Sequence, residues 1–257
     1  MKKLENKNAV ITGGSDGIGL GIAHCFAENG ANIILIGRET EKLEIAKKEL
    51  SKYQTEIFIL SADLSDIEQL NSLSNSILEL CPNIDVLVNN AGIGKFVSFS
   101  EMEIPLLDLH LNLNVKSPYM LTKHLLPSLI EAKGNVINIS SYFAHRMLPN
   151  RNTTAYSLTK GAINSFTKSL AFEIGHLGVR VNAIAPGSIS TPQLSRNLES
   201  LTDDKQEAFH EMVKTIYPLG SIGKADDIGK ASVFLASEDA NWITGTILAV
   251  DGGLTTN

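Results

Sequence analysis

A chain of 257 residues, 43% hydrophobic and 19% charged, is long enough to bury a substantial core and has the composition of an ordinary folded protein. Its formal net charge of −6, with no long basic run, argues against nucleic acid or an anionic membrane surface as the main partner. The two cysteines, Cys25 and Cys81, stand in no CxxC or Cys/His cluster, so no metal site is readable and a reducing compartment is expected.

Short apolar runs alternate with longer helical patterns from end to end. Asn8 to Thr12 reads as the first strand, with no apolar signal-peptide core before it. Residues 17–29 follow as a helix with Ile18, Ile22, Cys25, Phe26 and Asn29 at helical spacing, stopped by Gly30. Asn32 to Ile36 is a near-continuous apolar run, as in a strand buried on both faces. Thr40 to Lys52 is a charged amphipathic helix, Glu56 to Leu60 a third strand, and Ser65 to Leu80 a helix with Ser65 as its expected N-cap. Ile84 to Val88 is the fourth strand. Residues 101–132 are helical, with Pro105 and Pro118 at breaks or first turns. Asn135 to Ser140 is a strand, 154–175 a long helix, and Val179 to Ile184 a strand. The polar stretch 191–217 looks like a helical excursion; Ala225 to Ser237 and Gly245 to Val250 close the chain as helix and strand. Seven strands with helical crossovers imply an α/β fold, a parallel sheet with helices on both faces. No linker or repeat divides the chain, so residues 1–257 are read as one domain. No stretch approaches the ~18 uninterrupted apolar residues of a membrane span, and a cytoplasmic protein is expected.

The first strand runs into Thr12-Gly13-Gly14-Ser15-Asp16-Gly17-Ile18-Gly19. Glycines at a strand-to-helix turn admit unusual backbone angles and close approach of a pyrophosphate, and the helix start offers free N–H groups to it. At the end of the second strand, where an NAD-binding chain carries a carboxylate for the ribose 2′-hydroxyl, stand Gly37 and Arg38. A guanidinium there suits a 2′-phosphate and favours NADP(H), although Asp16 in the turn and Glu39 after Arg38 temper the preference and leave NAD(H) open. Tyr156 and Lys160 lie one turn apart on the long helix. A phenol with a pKa of about 10 is a poor base, and a neighbouring ammonium is expected to lower it, so the pair reads as a proton-transfer device.

In this order the motifs resemble those of the short-chain dehydrogenase/reductase superfamily, in its common single-domain form, over essentially the whole chain. Residues 12–19 look like its TGxxxGxG turn, Asp63-Leu64 like its adenine-contacting pair, and Asn89-Asn90-Ala91-Gly92 like its NNAG motif. Asn114 matches its helix asparagine, Asn138-Ile139-Ser140-Ser141 its serine strand, and Tyr156 with Lys160 its YxxxK. Arg180-Val181-Asn182 with Pro186-Gly187, and Ile243-Thr244-Gly245 with Val250-Asp251-Gly252-Gly253, resemble its remaining signatures.

The resemblance implies a Rossmann-type doubly wound seven-stranded parallel sheet and hydride transfer between a nicotinamide and a small-molecule ketone or secondary alcohol, without a metal. Tyr156 would be the general acid or base and Ser141 would hold the substrate oxygen. Lys160 would lower the Tyr156 pKa and bind the nicotinamide ribose, and Asn114 would support a water linking Lys160 to solvent. Gly13, Ser15, Asp16, Gly17, Ile18, Gly19, Arg38, Asp63, Leu64, Asn90, Ala91, Gly92, Tyr156, Lys160, Pro186, Gly187, Ile189 and Thr191 would bind the cofactor, Ile189 by its backbone. Ser140 is the competing serine, read as structural. The Ser141-to-Tyr156 interval is longer than is common in the family, with the extra length in 142–153, which borders the substrate pocket; His145 in it faces substrate or solvent. Residues 188–217 would form a substrate lid. A homo-oligomer, tetramer or dimer, built on helices 101–132 and 154–175 is expected. Within the same chemistry stands 3-oxoacyl-carrier-protein reduction, whose enzymes place arginines near the ends of the two long helices; here those places look to be Ala132 and Leu177, with Lys133 beside one. A catalytically silent NAD(P)-sensing regulator is the reading from another class, and the intact set Asn114, Ser141, Tyr156 and Lys160 speaks against it.

Overall fold

Runs such as Val86–Asn89 and Asn135–Ile139 are buried at every residue, which a strand achieves only with both sheet faces covered. In the computed structural model, which describes residues 2–149, 151–199 and 202–256, these strands join one seven-stranded sheet. The elements run β1 (Asn8–Thr12), α1 (Gly17–Glu28), β2 (Asn32–Gly37), α2 (Thr40–Leu50), β3 (Ile57–Ser61), α3 (Leu70–Leu80), β4 (Val86–Asn89), α4 (Ile104–Leu111), α5 (Ser117–Glu131), β5 (Asn135–Ile139) and α6 (Thr154–Ile174). Then come β6 (Arg180–Pro186), β7 (Ile189–Ser190), α7 (Pro192–Glu199), α8 (Asp203–Ile216), β8 (Gly223–Lys224), α9 (Ala225–Ala236) and β9 (Ile247–Val250). The sheet order is β3-β2-β1-β4-β5-β6-β9, all parallel. Order reverses between β1 and β4, where Ala9 lies opposite Ile33 on one side and Val86 on the other. A doubly wound sheet opens its ligand crevice at such a reversal, beyond the carboxyl ends of the strands.

Strand alternation divides the core between the two faces. Ala9, Ile11, Ile33 and Leu35 pack with Ile22 and Phe26 of α1, Leu43 of α2 and Ile228 of α9. Val10, Ile34 and Ile36 point the other way, onto Leu73 and Ile77 of α3, Leu121 and Leu125 of α5 and Ala171 and Ile174 of α6.

Two features depart from the sequence reading, and the prolines of the 101–132 region stand in first turns as that reading has them. The cap at 65 moves one residue: Asp66 accepts the Glu68 N–H and starts a short 3-10 turn, Ile67–Gln69, before α3, because Ser65 is engaged by Asp63. The 101–132 region is two helices, each with proline at its second position, Pro105 and Pro118. Between them Asn112–Lys116 forms a π turn. Pro118 has no N–H to give the Asn114 carbonyl four residues back, which favours this looser winding beside the site. The excursion at 191–217 becomes α7 and α8, flanked by β7 and β8, which pair with each other apart from the main sheet. The lid reading includes Ser200 and Leu201, and the interval 142–153 includes Asn150; these three lie outside the described residues.

Candidate active site

The carboxyl ends of β1, β2, β4, β5 and β6 border one cavity of about 590 Å³, within the range of pockets that hold a cofactor-sized ligand. Its floor at the switch point is the glycine turn. Gly13 and Gly17 have φ of +63° and +55°, a region where side chains are strained. A Cβ on Gly13 would stand 2.9 Å from Asn90 Nδ2, and one on Gly19 only 2.1 Å from the Gly13 carbonyl oxygen. Asp16 caps α1 by accepting the Gly17 N–H at 2.7 Å. Thr12 Oγ1 accepts the Asn90 and Ala91 N–H groups at 2.9 and 3.0 Å, and Asn90 Nδ2 donates to the Thr12 and Gly13 carbonyls. The NNAG turn is thereby sewn to the glycine turn, and the cavity between them is lined by backbone that no side chain fills.

At the β2 end the lining includes Ser15, Arg38, Glu39, Lys42, Asp63, Leu64 and Arg196. Arg38 is exposed. Hydrogen bonds from the Ser65 backbone and side chain hold the Asp63 carboxyl below its ordinary range, with a smaller pull from Arg38. Arg196 of α7 comes within 3.9 Å of Asp16. Lys42, whose Nζ donates to Glu39 at 2.7 Å, and Arg196 were not read as site residues from sequence. Lys42 lay close to Arg38 in the chain, but no spacing rule links Arg196 to a turn some 180 positions earlier.

At the other end Ser141, Tyr156 and Lys160 line the cavity together with Gly92 and Gly187. Ser141 Oγ accepts the Phe143 N–H at 3.2 Å and stands close enough to the Tyr156 phenol to lower its pKa. Lys160 Nζ donates to the Ile139 carbonyl at 2.7 Å and sits 5.6 Å from the Tyr156 ring centre. Burial pushes the Tyr156 phenol up, offset in part by Ser141, and pushes the Lys160 ammonium down to about 8. The lowering of the phenol expected from Lys160 is therefore not found in the protein alone: desolvation raises it, and the group that pulls it back is Ser141. Ser140 turns inward, donating to Asn164 Oδ1 at 2.6 Å.

Asn114, Gly19 and Ile189 do not line the cavity. Asn114 lies behind it. Its Oδ1 accepts the Ile93 N–H at 2.8 Å, and its Nδ2 donates to the Ile93 carbonyl at 2.9 Å and to Thr159 Oγ1 at 3.0 Å. The asparagine thus ties the segment after NNAG to α6 one residue before Lys160. Gly19 supports the turn from beneath, and Ile189 is buried in the core beside β8.

Three aromatic rings meet at Tyr156: Phe96 lies 5.7 Å and Phe143 6.2 Å from it, each edge-on, and 5.9 Å from each other. Phe96 stands two residues after Gly94 in a stretch without periodicity, so the sequence carries no sign of this placement.

A family model described as Enoyl-(Acyl carrier protein) reductase matches residues 13–255. The chain is 39% identical to oxidoreductase UcpA of Escherichia coli K12, over 99% of this chain and 97% of that one. It is 37% identical to 3-oxoacyl-[acyl-carrier-protein] reductase FabG of Chlamydia trachomatis, over 98% of each. L-Sorbose reductase from Gluconobacter frateurii, solved with NADPH and L-sorbose, superposes with a TM-score of 0.94 at 30% identity, covering all of both chains. With a glycine turn at the switch point, a Tyr/Lys pair one helical turn apart and matches along its full length, the chain belongs to the short-chain dehydrogenase/reductase family of oxidoreductases.

Proposed function

We propose that the protein reduces a small-molecule ketone, or oxidises the matching secondary alcohol, with NADP(H) preferred over NAD(H) and Tyr156 handling the proton. The carrying observation is the convergence of the Ser141 hydroxyl, the Tyr156 phenol and the Lys160 ammonium at one end of a cavity whose far end holds the glycine turn and Arg38. The cavity's unfilled backbone at Gly13, Gly17 and Gly92, with Ser15, Ile18, Asp63, Leu64, Asn90 and Ala91 beside it, fits a dinucleotide. When bound, the nicotinamide supplies or accepts the hydride.

The chain's own residues do the rest. Ser141, with its oxygen fixed by the Phe143 N–H, holds the substrate oxygen. Tyr156, kept protonated at neutral pH by burial, gives its proton to that oxygen in reduction and takes it back in oxidation. Lys160, charged below about pH 8, stabilises the phenolate that forms and binds the ribose. Asn114 positions both Ile93 and Thr159, and its carbonyl, released from Pro118, is an acceptor for a water relay to Lys160. Pro186, Gly187, Ile189 and Thr191 carry the segment that meets the nicotinamide.

Arg38 supports the NADP(H) preference because no carboxylate ends β2 and the guanidinium stands in the cavity lining. The structural relative's NADPH is consistent with it. For the substrate, a sugar-like ketone has support from the L-sorbose enzyme and a 3-oxoacyl carrier from the Chlamydia relative. Neither Ala132 nor Leu177 offers a charge for an acidic carrier, which favours the free small molecule. Phe172 is 93% exposed on α6, with Tyr119 and Leu158 also exposed on α5 and α6; a second copy of this single-domain chain would cover them. Among the described residues no helix is long and apolar enough to cross a membrane, and the free cysteines fit work in the cytoplasm.

The test is a panel of L-sorbose, cyclohexanone and ethyl acetoacetate with NADPH and with NADH, followed by the absorbance of reduced nicotinamide. Turnover of at least one ketone, abolished in Tyr156→Phe while NADPH binding persists, is expected. Turnover that survives the substitution refutes the assignment of the proton donor.

A further inference from the structure

The segments that follow Ser141 and Gly187 meet at one side chain. Ser188 donates its backbone N–H to the Tyr217 hydroxyl at 2.8 Å, and its Oγ accepts from that hydroxyl at 2.8 Å. Tyr142 is the third partner: the Ser188 side chain pulls its phenol down against the burial that raises it, and its ring packs in one cluster with Tyr217. Both tyrosines are buried, and so each hydroxyl must find its partner inside the protein. The ring of Tyr217 also lies on two glycine backbones: a Cβ on Gly187 would come within 3.1 Å of it and one on Gly252 within 3.3 Å.

What these three residues connect is more telling than the bonds themselves. Tyr142 follows Ser141. Ser188 follows Gly187, which lines the cavity. Tyr217 ends α8, whose Phe209 and Val213 pack with Tyr142 and Phe143. The turn that presents the substrate-holding hydroxyl, the segment at the nicotinamide end of the cavity and the second lid helix are therefore pinned at one point, and the proton chemistry above uses none of the three hydroxyls. Hydrogen bonds anchored on two buried tyrosines hold the segments they join to one arrangement.

We propose that Tyr142, Ser188 and Tyr217 form a positioning clasp that holds the Pro186–Ser188 segment in register with the Ser141 turn, and so sets the distance between the reactive end of the cofactor and the bound ketone. The inference rests on the oxidoreductase reading. It assigns three positioning residues, acting through Ser141 and the Gly187 backbone. A small displacement at a reacting centre is enough to slow a transfer by ten- to a hundredfold.

Tyr142→Phe, Tyr217→Phe and Ser188→Ala, made in the full chain, remove hydroxyls and leave both rings in place. Hydrogen–deuterium exchange on peptides 141–147 and 186–191 without cofactor is measured first. NADPH affinity, kcat with the fastest ketone of the panel, and the isotope effect with NADPH deuterated at C4 follow. Tyr217→Phe is expected to speed exchange in both peptides, although among the described residues its hydroxyl bonds only to Ser188. With it kcat should fall about tenfold while NADPH affinity stays within about threefold, and the isotope effect should rise as hydride transfer slows. The Tyr142→Phe/Tyr217→Phe double variant should be no slower than Ser188→Ala, because the three hydroxyls act as one unit. Exchange altered only in 186–191, or kcat within about twofold of wild type, overturns the clasp; if a Phe variant does not fold, Ser188→Ala bears the same expectation. An unmodified chain that reduces no ketone is a different failure: it removes the oxidoreductase reading, and with it the clasp's part in the reaction.

Discussion

Lys160 gives the sharpest test of the site's electrostatics, because its ammonium is almost wholly buried, 5% exposed, and its hydrogen bond to the Ile139 carbonyl brings no opposite charge. Burial moves its pKa from 10.5 down to about 8. At about 1.36 kcal/mol per pH unit, that fall is roughly 3 kcal/mol of destabilisation carried by the folded state while the group is charged. The folded pKa lies below the unfolded one. Between pH 8 and 10.5 the unfolded chain therefore keeps a proton that the folded chain has released. Stability from this group rises with pH across that window and is flat on either side of it. Lys160→Met keeps the length of the side chain and removes the titration. Urea unfolding of both proteins at several pH values from 7 to 10.5 measures the difference between them, so the titrations they share cancel. The wild type should gain about 3 kcal/mol relative to the variant over the window. At pH 7 the variant should be close to the wild type in stability or above it, since the Ile139 carbonyl left without its donor offsets about 1–3 kcal/mol of the gain. Parallel curves would refute the reasoning and mean that the ammonium is hydrated in the folded protein. Turnover should be lost in the variant at every pH, which would show a group retained for chemistry at the expense of stability.

Arg38→Ala should weaken NADPH binding by roughly 10- to 100-fold, the worth of a charge-assisted hydrogen bond, and change NADH binding by less than about threefold; equal losses in a fluorescence titration would end the case for 2′-phosphate recognition. Gly19→Ala should abolish binding of either cofactor, because the new methyl would stand 2.1 Å from the Gly13 carbonyl and drive the turn open; near-normal affinity by calorimetry would contradict the close packing at Gly19. Asn114→Ala leaves the Ile93 N–H and carbonyl without their side-chain partners and should lower stability by about 2–4 kcal/mol in urea unfolding. Its exchange should quicken around residues 91–95, and an unchanged midpoint would deny Asn114 its tying role.

How much of this could be read from the chain follows from the range of the forces involved. The β1 strand, the glycine turn and the start of α1 are decided by residues within about ten positions of each other, and they stand where the sequence puts them. The cap at Asp66 shows the limit of local reading: Ser65 is as good a cap by type, but it is captured by Asp63, so a competing side chain decided the boundary. Tyr156 and Lys160 were legible as a pair because helical spacing brings them together, yet the direction of the Tyr156 shift was not. The sign depends on how much water the fold removes, and rings such as Phe96 and Phe143 reach Tyr156 only once the chain has folded. The same holds for Tyr142, Ser188 and Tyr217, whose separation in the chain hides a contact that exists only once β5, β6 and α8 have docked. The chemistry of this family is thus written in short motifs, whereas the placement that tunes it is written across the chain in residues no motif contains. Differences in rate and substrate among close relatives should accordingly map to positions such as 96, 142, 188 and 217 more than to the Tyr/Lys pair, and exchanging Phe96 and Phe143 together should alter the choice of ketone while leaving NADPH affinity within about threefold.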